Sequence, residues 1–215
     1  MTGYNPVLLD LDGTVIDTVA LIRESHRYAV QRVLGQDLSD EALVAQVGRP
    51  LMEQMRVFSP DHAEELFHVY RTWNHANTAR LIREYDGMTE VLDALADDGR
   101  TLGIITSKSR DAVDLAFQAF PGLEERFEVI MCSDDTKQHK PSPEPILAAL
   151  ARLGITGAEH ACYVGDAPFD LQSARAAGVA SIAVNWGFFD DDALLAERPD
   201  AICETPAQLL EVLRG

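Results

Sequence analysis

Val7-Leu8-Leu9-Asp10-Leu11-Asp12-Gly13-Thr14 runs three apolar residues into an acidic pair, and a glycine then breaks the run. An apolar run of this length bounded by turn residues spells a buried strand. The two aspartates then fall at the strand's C-terminal end, where open α/β sheets hold their ligands. Asp10 and Asp12 stand two positions apart, so in a regular strand both carboxylates point to one face. Crowded carboxylates repel unless a cation or a shared proton relieves them. The pattern asks for a divalent metal, for a division of acid and base roles, or for both. Taken alone it also fits a plain strand end with an Asp-Gly turn.

Downstream of Thr14 the pattern turns helical. Asp17 or Thr18 can cap a helix through Leu21, Ile22, Tyr28, Ala29 and Val33 that stops near Gly35. Ser39 and Asp40 offer a second cap, Gly48-Arg49-Pro50 breaks the pattern, Leu51 to Phe58 forms another helix, and Asp61 opens a longer one. No strand is expected between about 16 and 84, so this segment reads as an all-helical module inserted behind the first strand. His26, His62, His68 and His75 lie within it and complete no metal site. Arg49 is a cation in a loop between helices and a candidate for substrate contact.

From Asp86-Gly87 onward, helix and strand alternate. Strands are expected at Thr101–Thr106, Val129–Cys132, Ala161–Val164 and Ser181–Val184, with a short edge strand at Ala201–Cys203. Helices lie between them at 89–97, 110–119, after Ser142-Pro143 and at 171–177, and a closing helix begins at Pro206. Strands separated by helices imply right-handed crossovers and a parallel sheet covered on both faces. The fold class is therefore α/β, a Rossmann-like three-layer core (1–15 and 85–215) with an inserted α-helical cap (16–84).

Each of the first four core strands leads into something chemically useful. The first brings Asp10 and Asp12, the second Thr106 and Ser107, the connection after the third Lys140, and the fourth Asp166 and Asp170. Parallel strands share one C-terminal edge, so these groups converge. Any one of them has a structural explanation; four in register make one site.

The composition narrows the partner. A formal charge of −17 argues against DNA, RNA or an anionic membrane surface. It leaves room for a small phosphorylated molecule, because a metal and a few cations reverse the field inside a cleft. Cys132, Cys162 and Cys203 are too scattered for a metal finger or redox pair and read as buried free thiols in a reducing compartment. No basic-then-apolar leader and no apolar run of membrane-spanning length is seen, so the expected location is cytoplasmic. The oligomeric state is not legible.

These residues resemble the motifs of the haloacid dehalogenase (HAD) superfamily of phosphatases, over the whole chain. Asp10-Leu11-Asp12-Gly13-Thr14 is similar to its first motif, Thr106 to its second, Lys140 to its third, and Gly165-Asp166-x-x-x-Asp170 to its fourth. The helical insertion resembles the family's small cap, and the branch most similar is the phosphoglycolate phosphatase type. The resemblance implies a phosphatase in which Asp10 attacks phosphorus to form an aspartyl-phosphate. Asp12 would protonate the leaving group and then activate water. Mg2+ is the implied cofactor, held by Asp10, Asp166 and the Asp12 carbonyl, with Asp170 as a ligand or as a support behind the ligands. Lys140, Thr106 and the Ser107 backbone would neutralise and hold the phosphoryl group, and Arg49 would touch the substrate.

Asp12 argues against the dehalogenase branch, whose acid/base position is not aspartate. The cap contains no lysine, which argues against a phosphonate-cleaving member that needs a Schiff base. The alternatives are a phosphosugar mutase similar to β-phosphoglucomutase, and a pyrophosphatase or nucleotidase of the same superfamily. A binding protein on the same fold is a third class.

Overall fold

A computed structural model of the chain describes residues 3–215. The first strand, β1 (Val7–Leu9), is fully buried and stops one residue short of Asp10. β2 (Ile16–Asp17) leads out to four helices, α1 (Val19–Leu34), α2 (Asp40–Val44), α3 (Leu51–Phe58) and α4 (Ala63–Leu81). β3 (Arg83–Glu84) leads back. There follow α5 (Met88–Asp97), β4 (Leu102–Ile105), α6 (Arg110–Ala119), β5 (Val129–Met131), α7 (Glu144–Arg152) and β6 (Cys162–Gly165). The chain ends with α8 (Pro168–Ala177), β7 (Ala180–Val184), α9 (Asp191–Ala196), β8 (Ala201–Cys203) and α10 (Pro206–Arg214).

The main sheet has six strands in the order β5-β4-β1-β6-β7-β8, every neighbour parallel. After β1 the chain builds two strands to one side and then crosses to build three on the other. β1 is therefore the switch point of the topology, where a crevice opens beyond the strand ends. Alternation along β1 splits the core between two faces. Val7 and Leu9 pack with Ile104, Val164 and Ile182 against Leu92, Leu95, Val113, Leu209 and Leu213. Leu8 points the other way, with Ile105, Met131 and Tyr163, toward Ile146, Ala149 and Ala174.

The helical insertion has an interior of its own, built from Ala29 and Val30 of α1, Leu43 of α2, Met55 of α3 and Leu66 and Tyr70 of α4. One expectation is corrected here. The segment 16–84 does contain strands, because β2 and β3 pair antiparallel at its two ends, Ile16 against Glu84 and Asp17 against Arg83. Two-residue strands carry no apolar period, and their partners lie at opposite ends of the insertion. Two helix starts also move. α8 begins at Pro168 rather than 171, since proline suits a first turn and Asp170 accepts a hydrogen bond from the Ala167 amide at 3.0 Å. α7 begins behind Pro143, while Ser142 Oγ accepts from the Glu144 amide at 3.3 Å.

His26 gives this helical interior a pH dependence. Its ring is 1 % exposed, lies 5.3 Å from the Phe58 ring and 4.8 Å from Tyr70, and neither nitrogen has a partner at full hydrogen-bonding geometry among the described residues. Burial presses its pKa down to about 3, with only a small upward pull from the Leu43 backbone. The unfolded chain takes up this proton near 6.5 and the folded chain does not until about 3. Unfolding therefore gains a proton across that window, and stability falls as pH drops through it, at about 1.4 kcal/mol per unit. Urea unfolding at pH 7 and pH 5 should show His26→Leu losing about 2 kcal/mol less than the wild type on acidification. Parallel losses in the two proteins would remove His26 as the cause.

Candidate active site

The site grows from the switch point. Asp10 follows β1 directly, and its amide donates to the Val164 carbonyl at 2.8 Å, so β6 carries the carboxylate's own backbone. Thr106 follows β4 in the same manner, its amide donating to the Met131 carbonyl at 2.9 Å. Asp166 follows β6. These three strands are the central neighbours of the sheet, which is why their C-terminal residues meet.

Lys140 ties the groups together. Its ammonium, with the side chain only 1 % exposed, donates to Asp10 Oδ1 at 2.9 Å, to Asp170 Oδ1 at 2.6 Å and to the Tyr163 hydroxyl at 3.0 Å. All three of its donors are thus used. Burial alone would lower its pKa, but the charges of Asp10 and Asp170 override it and hold the ammonium well above the ordinary lysine value. Tyr163 passes its own proton to the Ile105 carbonyl at 2.7 Å. Asp170 also accepts from the Ala167 amide through its second oxygen. It lies behind the site, with neither oxygen free of a protein donor.

Oxygens of Asp10, Asp166 and Asp170 all come within 4.8 Å of one another. Asp166 accepts from Thr14 Oγ1 at 3.3 Å and from the Phe188 amide at 2.7 Å. Gly13 closes over it with φ at +80°, and a Cβ there would stand 2.4 Å from Asp166 Oδ2, so only glycine fits. Burial pushes Asp166 well above the usual carboxylate range, with the Asp170 and Asp10 charges adding to it. Asp10 rises to about 7, from burial first and then from Asp170 and Asp12, against the pull of Lys140. Three buried carboxylates face one buried ammonium. Excess negative charge in a dry site is costly, and an all-oxygen donor set with few carboxylates suits a small hard cation. The residues present therefore fit Mg2+.

Asp12 stands apart from that trio. Both of its oxygens accept from Lys108 Nζ, at 2.8 and 2.9 Å. The metal expectation for Asp12 concerned its main-chain carbonyl, and its carboxylate is engaged elsewhere. Lys108 and Tyr163 are the two polar neighbours that the sequence did not single out for a role. Lys108 stands two residues past Thr106, in a loop already marked as a strand end. Tyr163 sits within a strand, where an aromatic residue signals only packing.

Above these groups lies a cavity of about 500 Å3 between the sheet edge and the helical insertion. Asp10, Asp12, Thr106, Ser107, Lys108, Lys140 and Asp166 line it from below, and Arg49, Gln54, Tyr70, Arg71 and Asn74 from above. Polar contacts at the cavity rim help hold the insertion down. Ser107 Oγ donates to the Gly48 carbonyl at 2.6 Å, and Arg71 pairs with Asp111. Gly48, with φ at +99°, lies where a Cβ would press on Ala167 and Phe169 at 3.2 and 3.1 Å. Arg49 follows, its guanidinium 4.5 Å from the centre of the Phe169 ring. All the sequence-nominated residues thus converge, Asp170 from behind the wall.

The chain matches the family model described as haloacid dehalogenase-like hydrolase over residues 7–184. It belongs to that family. Among relatives, the protein named pyrophosphatase PpaX from Bacillus pumilus is 36% identical over 97% of this chain and 96% of its own length. The pyrophosphatase PpaX of Bacillus velezensis is 34% identical over 96% of this chain and 94% of its own. A solved haloacid dehalogenase-like hydrolase from Streptococcus pneumoniae superposes with a TM-score of 0.82 at 26% identity, covering 98% of this chain and 99% of that one. The α/β architecture expected from the sequence is the architecture of these haloacid dehalogenase-like hydrolases.

Proposed function

We propose that this hydrolase is a Mg2+-dependent phosphatase that transfers a phosphoryl group to Asp10 and then to water. The observation that carries the reading is the buried constellation of Asp10, Lys140 and Asp166 at the floor of the cavity beneath the helical insertion. Phosphoryl transfer is positioning and charge neutralisation, and these residues supply both. Asp10 presents one oxygen to phosphorus while Lys140 grips the other side of the carboxylate and shields its charge. Asp12 hands a proton to the departing oxygen and takes one from the water that attacks the aspartyl-phosphate. Thr106 Oγ1 and the Ser107 amide donate to the phosphoryl oxygens. Asp10, Asp166 and the Asp12 carbonyl would hold Mg2+, which would supply neutralisation of those oxygens. Asp170 keeps Lys140 in place. The division into a core of 1–15 and 85–215 and a cap of 16–84 belongs to the same reading, the cap excluding water and choosing the substrate.

The resemblance in the sequence pointed to a phosphoglycolate-like ester. The relatives, matched over nearly their full length, favour inorganic pyrophosphate as substrate. A cytoplasmic location accords with three cysteines that are free and buried. The test is phosphate release from pyrophosphate, phosphoglycolate, a nucleoside monophosphate and a hexose phosphate. Turnover should be highest on pyrophosphate, vanish with EDTA and return with added Mg2+. Silence across the panel in folded, Mg2+-loaded protein would overturn the reading, and isomerised hexose phosphate would make the protein a mutase.

A further inference from the structure

The roof of the cavity carries two buried polar atoms that the chemistry above leaves unused. Gln54, from α3, is 7 % exposed, and its amide nitrogen donates to the Arg49 carbonyl at 2.7 Å. That bond fixes which end of the amide is which. Oε1 is left as a buried acceptor with no donor among the described residues. Arg49 shows the opposite vacancy. Its guanidinium carbon lies over the Phe169 ring, 4.5 Å from the centroid, and its Nε–H is buried without an acceptor among the described residues. A guanidinium donates in its own plane, so stacking leaves its hydrogen bonds available. Both side chains line the same cavity. An unmet buried polar atom is costly, and here a donor on the Gly48–Pro50 loop and an acceptor on the helix that follows it are both left unmet among the described residues.

We propose that Gln54 and Arg49 form a leaving-group pocket for an anionic group that also carries a hydroxyl proton, namely a singly protonated phosphate. Its P–O⁻ accepts from Arg49, and its P–OH donates to Gln54 Oε1. The proposal rests on the phosphatase reading and deepens it, since it says what stands beyond the scissile bond. The carboxylate of phosphoglycolate satisfies Arg49 but brings no proton for Gln54. Pyrophosphate, or the second phosphate of a bisphosphate ester, satisfies both. Gln54 thus separates a second phosphate from a carboxylate of similar size, in the way that a site built to bond a hydroxyl rejects the analogue lacking it.

The experiment compares pyrophosphate, propanediol bisphosphate, phosphoglycolate and p-nitrophenyl phosphate in wild type, Gln54→Leu and the closer-shaped Gln54→Met. The ratio of kcat/KM on pyrophosphate to that on p-nitrophenyl phosphate should fall about tenfold in both variants, through KM. The ratio on phosphoglycolate should hold within about twofold. A fall shared by the bisphosphate assigns the pocket to any second phosphate, and a fall confined to pyrophosphate assigns it to the anhydride. Equal falls on every substrate would overturn the proposal, leaving Gln54 as a prop for the Arg49 loop. A parallel arm reads binding without turnover, by calorimetry of pyrophosphate with Asp10→Asn protein. Adding Gln54→Leu should weaken it about tenfold. Binding with that sensitivity in an enzyme silent on every substrate would keep the pocket and discard the phosphatase reading. Binding insensitive to Gln54 would discard the pocket.

Discussion

Asp10→Asn should remove turnover almost completely, by about four orders of magnitude or more, while the protein stays folded. The amide has the shape of the carboxylate but is a poor nucleophile toward phosphorus, so the covalent step has no substitute. The fold should tolerate the change because three buried carboxylates compete for one ammonium. Lys140 keeps Asp170 and Tyr163 as partners after Asp10 is neutralised. The melting temperature should therefore stay level or rise. Phosphate release under single-turnover conditions measures the first part and calorimetric melting the second. A variant keeping more than about a hundredth of the wild-type rate would remove Asp10 as nucleophile.

The second large effect is on stability. Lys140→Met removes the ammonium that Asp10 and Asp170 share and leaves both carboxylates and the Tyr163 hydroxyl facing one another. Stripping one partner from a buried ion pair costs about 3–5 kcal/mol, because the other charge stays desolvated. For a chain of this size the expected fall in melting temperature is about 10 °C. The penalty belongs to stranded charge, not to lost packing, which makes it reversible by design. Lys140→Met combined with Asp170→Asn should melt above Lys140→Met alone. If the single variant melts within about 2 °C of wild type, or the double variant melts lower still, the stranded-charge account fails.

The legible parts of the molecule were those with local signatures. Val7–Leu9 and the apolar runs near 102, 129, 162 and 180 form strands that are buried along all or most of their length, which a short continuous apolar run signals. Asp10, Thr106 and Asp166 could be placed together from topology alone, since parallel strands align their ends. What escaped depends on distance in space between residues far apart in sequence. Lys108 meets Asp12 across 96 positions. Tyr163 is chemically a hydrogen-bond relay but occupies a site where any large aromatic would pack. Gln54 carries no local signature in the sequence, and only its one satisfied bond shows which of its atoms is left over. Asp170 was expected as ligand or support, and its complete set of protein donors favours support.

The ribbon of β2 and β3 has a consequence for how such a chain diversifies. Because Ile16 lies against Glu84 and Asp17 against Arg83, the insertion leaves and re-enters the sheet domain through a single narrow stalk. The cost of bringing its two ends together is borne by that stalk and grows only slowly with the length of what lies beyond. The backbone joins the helices to the six-stranded sheet at that stalk, and the contacts of Ser107 with Gly48, Arg71 with Asp111 and Arg49 with Phe169 fasten them again beyond it. Away from those contacts the insertion can change in length while the aspartates below keep their register. Under the division of labour proposed above, chemistry and choice of substrate can evolve on separate clocks.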